Sequence, residues 1–124
     1  MLSEAEAYLL PPLALAYVGD AVWELHVRTN LVLQGGRRPA KLHQAAVASV
    51  RATAQADSLR QLTAILTDRE RDVIRRGRNA KGSVPRHAKV TDYRASTGFE
   101  ALLGYLYLMG DEARVQEIVR LLLE

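Results

Sequence analysis

The chain has 124 residues and a formal net charge of +3, and its apolar and charged fractions, 48% and 25%, are those of a water-soluble globular domain. It has no cysteine, which excludes disulfides and thiolate metal sites, and its three histidines show no ligand-like spacing, which argues against zinc. No apolar run approaches the ~18 residues of a membrane span, and the acidic start Met1-Leu2-Ser3-Glu4-Ala5-Glu6 is unlike a signal peptide, so one cytoplasmic domain over residues 1–124 with no membrane partner is expected.

The chain reads as all-α. Ser3 followed by Glu6 has the form of a capping box and opens a short helix, which Pro11-Pro12 ends. A second helix runs from about Leu13 to Leu33, with Leu15, Val18, Val22 and Leu25 at helical spacing. It is apolar over much of its circumference, which suits the central buried helix, and Gly35-Gly36 closes it. Pro39 opens a helix of roughly 40–55, and Asp57 or Ser58 can cap a short one through Leu66. Thr67 or Asp68 caps the next, with Glu70 early and Arg75-Arg76 late, as the helix dipole favours. From Gly77 to about Val90 the sequence is broken by Gly82 and Pro85, so a flexible basic loop over about 77–90 is expected. A helix of about Tyr93–Leu108, a Gly110-Asp111 break and an amphipathic helix to Leu123 complete the chain. Tyr93, Tyr105 and Tyr107 fall at helical spacing and read as core rather than as base-stacking residues.

Charge is unevenly spread. Residues 75–94 hold seven basic side chains against Asp92 alone, a local +6 that leaves the remainder at −3. A mildly acidic body with one strongly basic segment points to a polyanion on one surface. Two acidic features stand apart from this pattern. Asp20 and Glu24 lie four residues apart in the apolar run Leu13–Val27, a spacing that stacks two carboxylates on one helix face. Glu100 repeats the design in Phe99-Glu100-Ala101-Leu102-Leu103-Gly104-Tyr105. Apolar surroundings make an unpaired carboxylate costly, and a hard divalent cation such as Mg²⁺ is one way to offset that cost. Two such helices packed together would make a metal site from Asp20 and Glu100. Glu24 can instead pair with Arg28 at i+4, and Gly98 and Gly104 allow close approach either of helices or of a ligand. His43, following Lys41-Leu42, is a lone helical histidine, more consistent with a structural role than with RNA contact.

The segment Leu13-Ala-Leu-Ala-Tyr-Val-Gly-Asp20-Ala-Val-Trp-Glu24 resembles the signature helix of ribonuclease III endonuclease domains, and Thr97-Gly-Phe-Glu100-Ala-Leu-Leu-Gly-Tyr-Leu-Tyr107 resembles their second acidic helix. Together with Pro39-Ala-Lys41-Leu42-His43, Arg76-Gly-Arg78-Asn79-Ala80-Lys81 and Tyr93-Arg94-Ala-Ser96-Thr97, the pattern is most similar to Mini-III, the short branch without a double-stranded-RNA-binding domain. The resemblance spans roughly residues 13–109. Where larger ribonuclease III enzymes carry a Glu four residues before the Asp, this chain has Ala16, and where they carry an Asp three residues before the Glu it has Thr97.

The resemblance implies an all-helical homodimer that hydrolyses double-stranded RNA to 5′-phosphate and 3′-hydroxyl ends, in maturation of large-subunit ribosomal RNA. It makes Asp20 and Glu100 the catalytic, metal-binding pair, for Mg²⁺ with Mn²⁺ as a substitute. Arg76, Arg78, Asn79, Lys81, Arg86 and Lys89 become RNA-binding candidates, and Glu24, His43 and Thr97 secondary ones. The alternative is a ribonuclease III-like module that binds RNA without cutting it.

Overall fold

A computed structural model describes residues 1–35, 38–44, 61–80, 82, 84, 86 and 89–123. Five helices are complete within it: α1 (Glu4–Leu9), α2 (Pro12–Leu33), α3 (Asp68–Asn79), α4 (Val90–Leu108) and α5 (Glu112–Leu123). Residues 39–44 and 61–63 are also helical, and no strand occurs among the described residues. The expected course of the helix beyond residue 44 and the caps at Asp57 or Ser58 lie outside the described residues.

Local chemistry sets the helix ends. Ser3 and Glu6 form the reciprocal capping box, Oγ of Ser3 accepting from the Glu6 amide at 3.1 Å and Oε1 of Glu6 accepting from the Ser3 amide at 3.0 Å. Pro11 is the N-cap of α2 and Pro12 its first residue, where a missing amide proton costs nothing. Thr67 and Glu70 make a second capping box at α3. Gly110 adopts φ +79° after α4, which lets the Gly110 and Asp111 amides reach back to the carbonyls of Tyr107 and Leu106.

The centre of the fold is α4, not α2 as the sequence suggests. Nine consecutive-turn residues of α4, from Thr97 to Leu106, are buried, including Phe99, Leu102, Leu103 and Tyr105. α2 covers one side of it through Leu15, Ala16, Val22, Trp23 and Val27. It leaves Leu13, Tyr17, Leu25, Val32 and Leu33 exposed. Trp23 meets Phe99 edge-on, with ring centroids 5.2 Å apart. Tyr105 is core as expected, Tyr93 is half-buried and Tyr107 is exposed.

α3 covers another side of α4, and Gly77 belongs to it rather than to a loop. A Cβ on Gly77 would fall 2.8 Å from the Gly98 Cα, and one on Gly98 would fall 2.7 Å from the Ile74 carbonyl oxygen. The helices therefore touch through bare backbone, which a side chain at either position would prevent. A buried ion pair ties α3 to α5: Arg114 donates to Glu70 from Nε at 2.8 Å and from a terminal nitrogen at 2.7 Å. Its partners, together with Thr67, hold the Glu70 carboxyl below its usual range despite burial.

α1 is strapped across α3 and α4. Arg76 donates to the carbonyls of Tyr8, at 2.7 Å, and Leu10, at 3.2 Å, capping the open end of α1. The guanidinium groups of Arg69 and Arg76 both lie over the Tyr8 ring, 4.2 and 4.7 Å from its centroid, and its hydroxyl donates to Asp72. Tyr105 donates to Glu4 at 3.1 Å from the other side.

Candidate active site

The site is built where α2 crosses α4. A Cβ on Gly19 would lie 1.6 Å from the Glu100 carbonyl oxygen, and a Cβ on Gly104 would lie 1.9 Å from the Leu15 carbonyl oxygen. Both distances are far inside van der Waals contact, so only glycine permits the crossing. Of the two roles open to Gly98 and Gly104, helix packing is the one they serve. Asp20 follows Gly19 directly, and its charge is felt at the Glu100 carboxyl across this crossing.

The two carboxylates differ in setting. Glu100 is half-buried, and burial pushes its carboxyl up to about 7, against the lowering effect of a hydrogen bond from Ser96 and with a further rise from Asp20. Asp20 is exposed as a residue, yet partial burial of its carboxylate raises it, and Glu24 adds to the rise. Its surroundings are thus less apolar than the sequence suggests. Glu24 takes the alternative expected of it: Arg28 donates to it at 2.5 Å.

Among the described residues, no three histidine or acidic side chains group as a complete metal cage. Two carboxylates with only oxygen donors suit a hard cation such as Mg²⁺, which keeps several waters and takes the rest of its shell from a phosphate. The raised carboxyl of Glu100 marks a charge short of a partner, and a bound cation would relieve it. The residues present therefore fit a Mg²⁺ site.

The other candidates are spread more widely. The Thr97 hydroxyl donates to its own helix, to the Tyr93 carbonyl at 2.9 Å, and the residue is buried. Exposed His43 lines a shallow hollow with Arg28, Val32, Pro39 and Leu42, on the far half of α2 from Asp20. Arg78, Asn79, Arg86 and Lys89 are exposed, and Lys81 lies outside the described residues. Arg76 has another task, since its guanidinium is committed to the α1 carbonyls.

One residue of the basic segment, Gly82, meets both helices that carry the carboxylates. A Cβ on Gly82 would contact Leu13 at 3.7 Å and the Tyr93 hydroxyl at 4.0 Å. Leu13 is seven residues before Asp20 and Tyr93 seven before Glu100, two turns back on the same helix face. Gly82 therefore lies on the site's face of both helices, roughly 10 Å along their axes from the carboxylates.

Ser96, present in the motif Tyr93-Arg94-Ala-Ser96-Thr97 but given no role by it, touches Glu100. Ser96 donates from Oγ to Oε1 of Glu100 at 2.9 Å. Its i, i+4 spacing to Glu100 was the available signal.

Residues 13–111 match the family model described as "Ribonuclease III domain". A protein of Symbiobacterium thermophilum named "Mini-ribonuclease 3" is 51% identical over 117 residues, covering 94% of this chain and 90% of its own length. Its namesake from Gloeobacter violaceus is 55% identical over 108 residues, covering 87% of this chain and 78% of its own. The crystal structure of a Fusobacterium nucleatum protein superposes with a TM-score of 0.78 at 29% identity, covering 93% of each chain.

Proposed function

This chain belongs to the ribonuclease III family and is an endoribonuclease of its Mini-III branch, and on that premise we propose that it hydrolyses double-stranded RNA with Mg²⁺ held by Asp20 and Glu100. The observation that supports the site assignment is the Gly19–Gly104 crossing, which packs the backbone next to Asp20 against the backbone of Glu100. The raised carboxyl of Glu100 supports it.

Asp20 and Glu100 would hold a divalent cation, which would lower the pKa of a water and offset charge on the phosphate oxygens. Asp20 and Glu100 supply the two fixed anionic ligands. A water oxygen would attack phosphorus in line with the 3′ oxygen; the new P–O bond forms as the P–O3′ bond breaks, and a proton from water goes to the 3′ oxygen, leaving 5′-phosphate and 3′-hydroxyl ends. Glu24, paired with Arg28, has no direct part in this reading; its charge acts on Asp20 at a distance. Mn²⁺, which shares the oxygen-donor preference, serves as a substitute.

The exposed basic side chains Arg78, Arg86 and Lys89, with Asn79 and Lys81, take the RNA backbone. Gly82, within their segment, meets Leu13 and Tyr93, each seven residues before one of the two carboxylates, which supports this reading. A-form RNA hides its base edges in a deep groove, so recognition is of phosphate, shape and 2′-hydroxyls. The working unit is a homodimer, whose two-fold axis matches that of two antiparallel strands. The surface of α2 supports this: Tyr17, one turn from Asp20, is 84% exposed, and Leu13 is 40% exposed. The substrate is precursor large-subunit ribosomal RNA, in the cytoplasm.

Long double-stranded RNA incubated with the protein and Mg²⁺ tests the reading. Fragments that vanish with chelator are expected, and intact duplex in both cases would refute it.

A further inference from the structure

Resting on that reading, we propose that Ser96 is a positioning residue that orients the Glu100 carboxylate toward the cation site. A serine inside a helix commonly turns its hydroxyl back to the carbonyl four residues earlier. Thr97, its neighbour, does so, donating to Tyr93 at 2.9 Å. Ser96 does not. Its hydroxyl points up the helix and donates to Oε1 of Glu100 at 2.9 Å.

That bond fixes what the helix alone leaves free. A glutamate has three side-chain torsions, and the last is broad. Among the described residues, no lysine or arginine pairs with Glu100, and Ser96 is the donor that reaches its carboxylate. With Oε1 engaged, the last torsion is restricted, and among the described residues no hydrogen bond claims Oε2. Outer-shell donors of this kind orient metal-binding carboxylates, and their loss typically costs ~10–100-fold in metal affinity or activity. A serine that merely packs would have no such effect.

The experiment compares the whole protein with Ser96→Ala, Ser96→Thr and Asp20→Asn. Mn²⁺ binding is measured by calorimetry without RNA, and cleavage of long duplex RNA is measured in Mg²⁺. Ser96→Ala should keep the wild-type circular dichroism spectrum, since alanine is the best helix former. Its Mn²⁺ affinity and kcat should each fall about 10-fold, with KM for RNA unchanged. Ser96→Thr, which keeps the hydroxyl, should recover most of both. Wild-type Mn²⁺ affinity and kcat in Ser96→Ala would overturn the proposal, as would a loss in Ser96→Thr as large as in Ser96→Ala. If Asp20→Asn also binds Mn²⁺ as the wild type does, the metal-site reading fails and takes this proposal with it. If Asp20→Asn loses Mn²⁺ while Ser96→Ala keeps it, only the role of Ser96 is refuted.

Discussion

Gly19 and Gly104 face each other where α2 crosses α4, so closely that a Cβ on Gly104 would stand 3.1 Å from the Gly19 amide nitrogen and 1.9 Å from the Leu15 carbonyl oxygen. The obstructing atoms are backbone, so no rotamer change relieves the clash. Gly104→Ala must push the helices apart, at an expected cost of about 1–3 kcal/mol or more. Because the proposed site draws Asp20 and Glu100 from the two helices of this crossing, cleavage should fall further than stability alone explains. Urea denaturation and a cleavage assay on the still-folded variant check both parts. A variant with wild-type stability would show that the helices are not in backbone contact.

Glu100 should weaken the fold it serves. Its carboxyl sits at about 7 in the folded chain against an ordinary 4.5, so between those values the folded state holds a proton that the unfolded chain has released. Stability of the metal-free wild type therefore falls as pH rises through this window. Glu100→Gln has no charge to bury. Its advantage should be near zero at and below pH 4.5, grow through the window and level off above about 7, at no more than about 3 kcal/mol. Thermal melts in chelator from pH 4 to 9 measure it. A pH-independent difference between the two proteins would contradict the burial of this carboxylate.

The same change should abolish activity. Asp20→Asn and Glu100→Gln remove a charged ligand with little change in volume, so turnover in Mg²⁺ should drop by orders of magnitude while the fold persists. Single-turnover cleavage of duplex RNA gives the rate. Near wild-type cleavage by either variant would reject the assignment.

Much of this was legible in the chain because its signals are local. Ser3 with Glu6, Pro12, Thr67 with Glu70, and Gly110 mark helix ends through chemistry confined to a few residues. Asp20 and Glu100 stand out because a carboxylate in an apolar helix breaks its pattern. What the sequence does not show depends on partners distant in it. Gly77 reads as a breaker until Gly98 is seen against it. Arg76 reads as one more charge in a basic run until the α1 carbonyls claim it. α2 and α4 are both apolar around much of their circumference, and only packing decides which one is enclosed. Ser96 was within reach at i, i+4, but serine inside a helix more often bonds its own backbone.

The exposed side chain of Tyr17 should report on dimerisation. At 84% exposure it can accept a charge without disturbing the folded chain. If the face it shares with Leu13 is the two-fold contact, Tyr17→Asp buries an unpaired charge there and should shift light-scattering mass toward the monomer. Unchanged mass would place the contact elsewhere, and a wild type that is monomeric yet fully active would remove the dimer from the mechanism.

Two sets of basic residues should separate cleanly. Replacing Arg78, Lys81, Arg86 and Lys89 by Ala should weaken duplex-RNA binding and flatten its salt dependence, because fewer counterions are released. The fold should hold, since the described members of this set, Arg78, Arg86 and Lys89, are exposed. Arg76→Ala should do the reverse. It strips two carbonyls at the end of α1 of their donor and removes one of the cations over the Tyr8 ring, so stability should drop by about 1–3 kcal/mol while the salt slope stays as it was. Binding titrations in Ca²⁺, chosen to suppress cleavage, across a salt series read the slopes, and urea melts read the stabilities. A flattened slope for Arg76→Ala would return that residue to the RNA surface. An unchanged slope for the quadruple variant would mean that the basic segment meets only solvent.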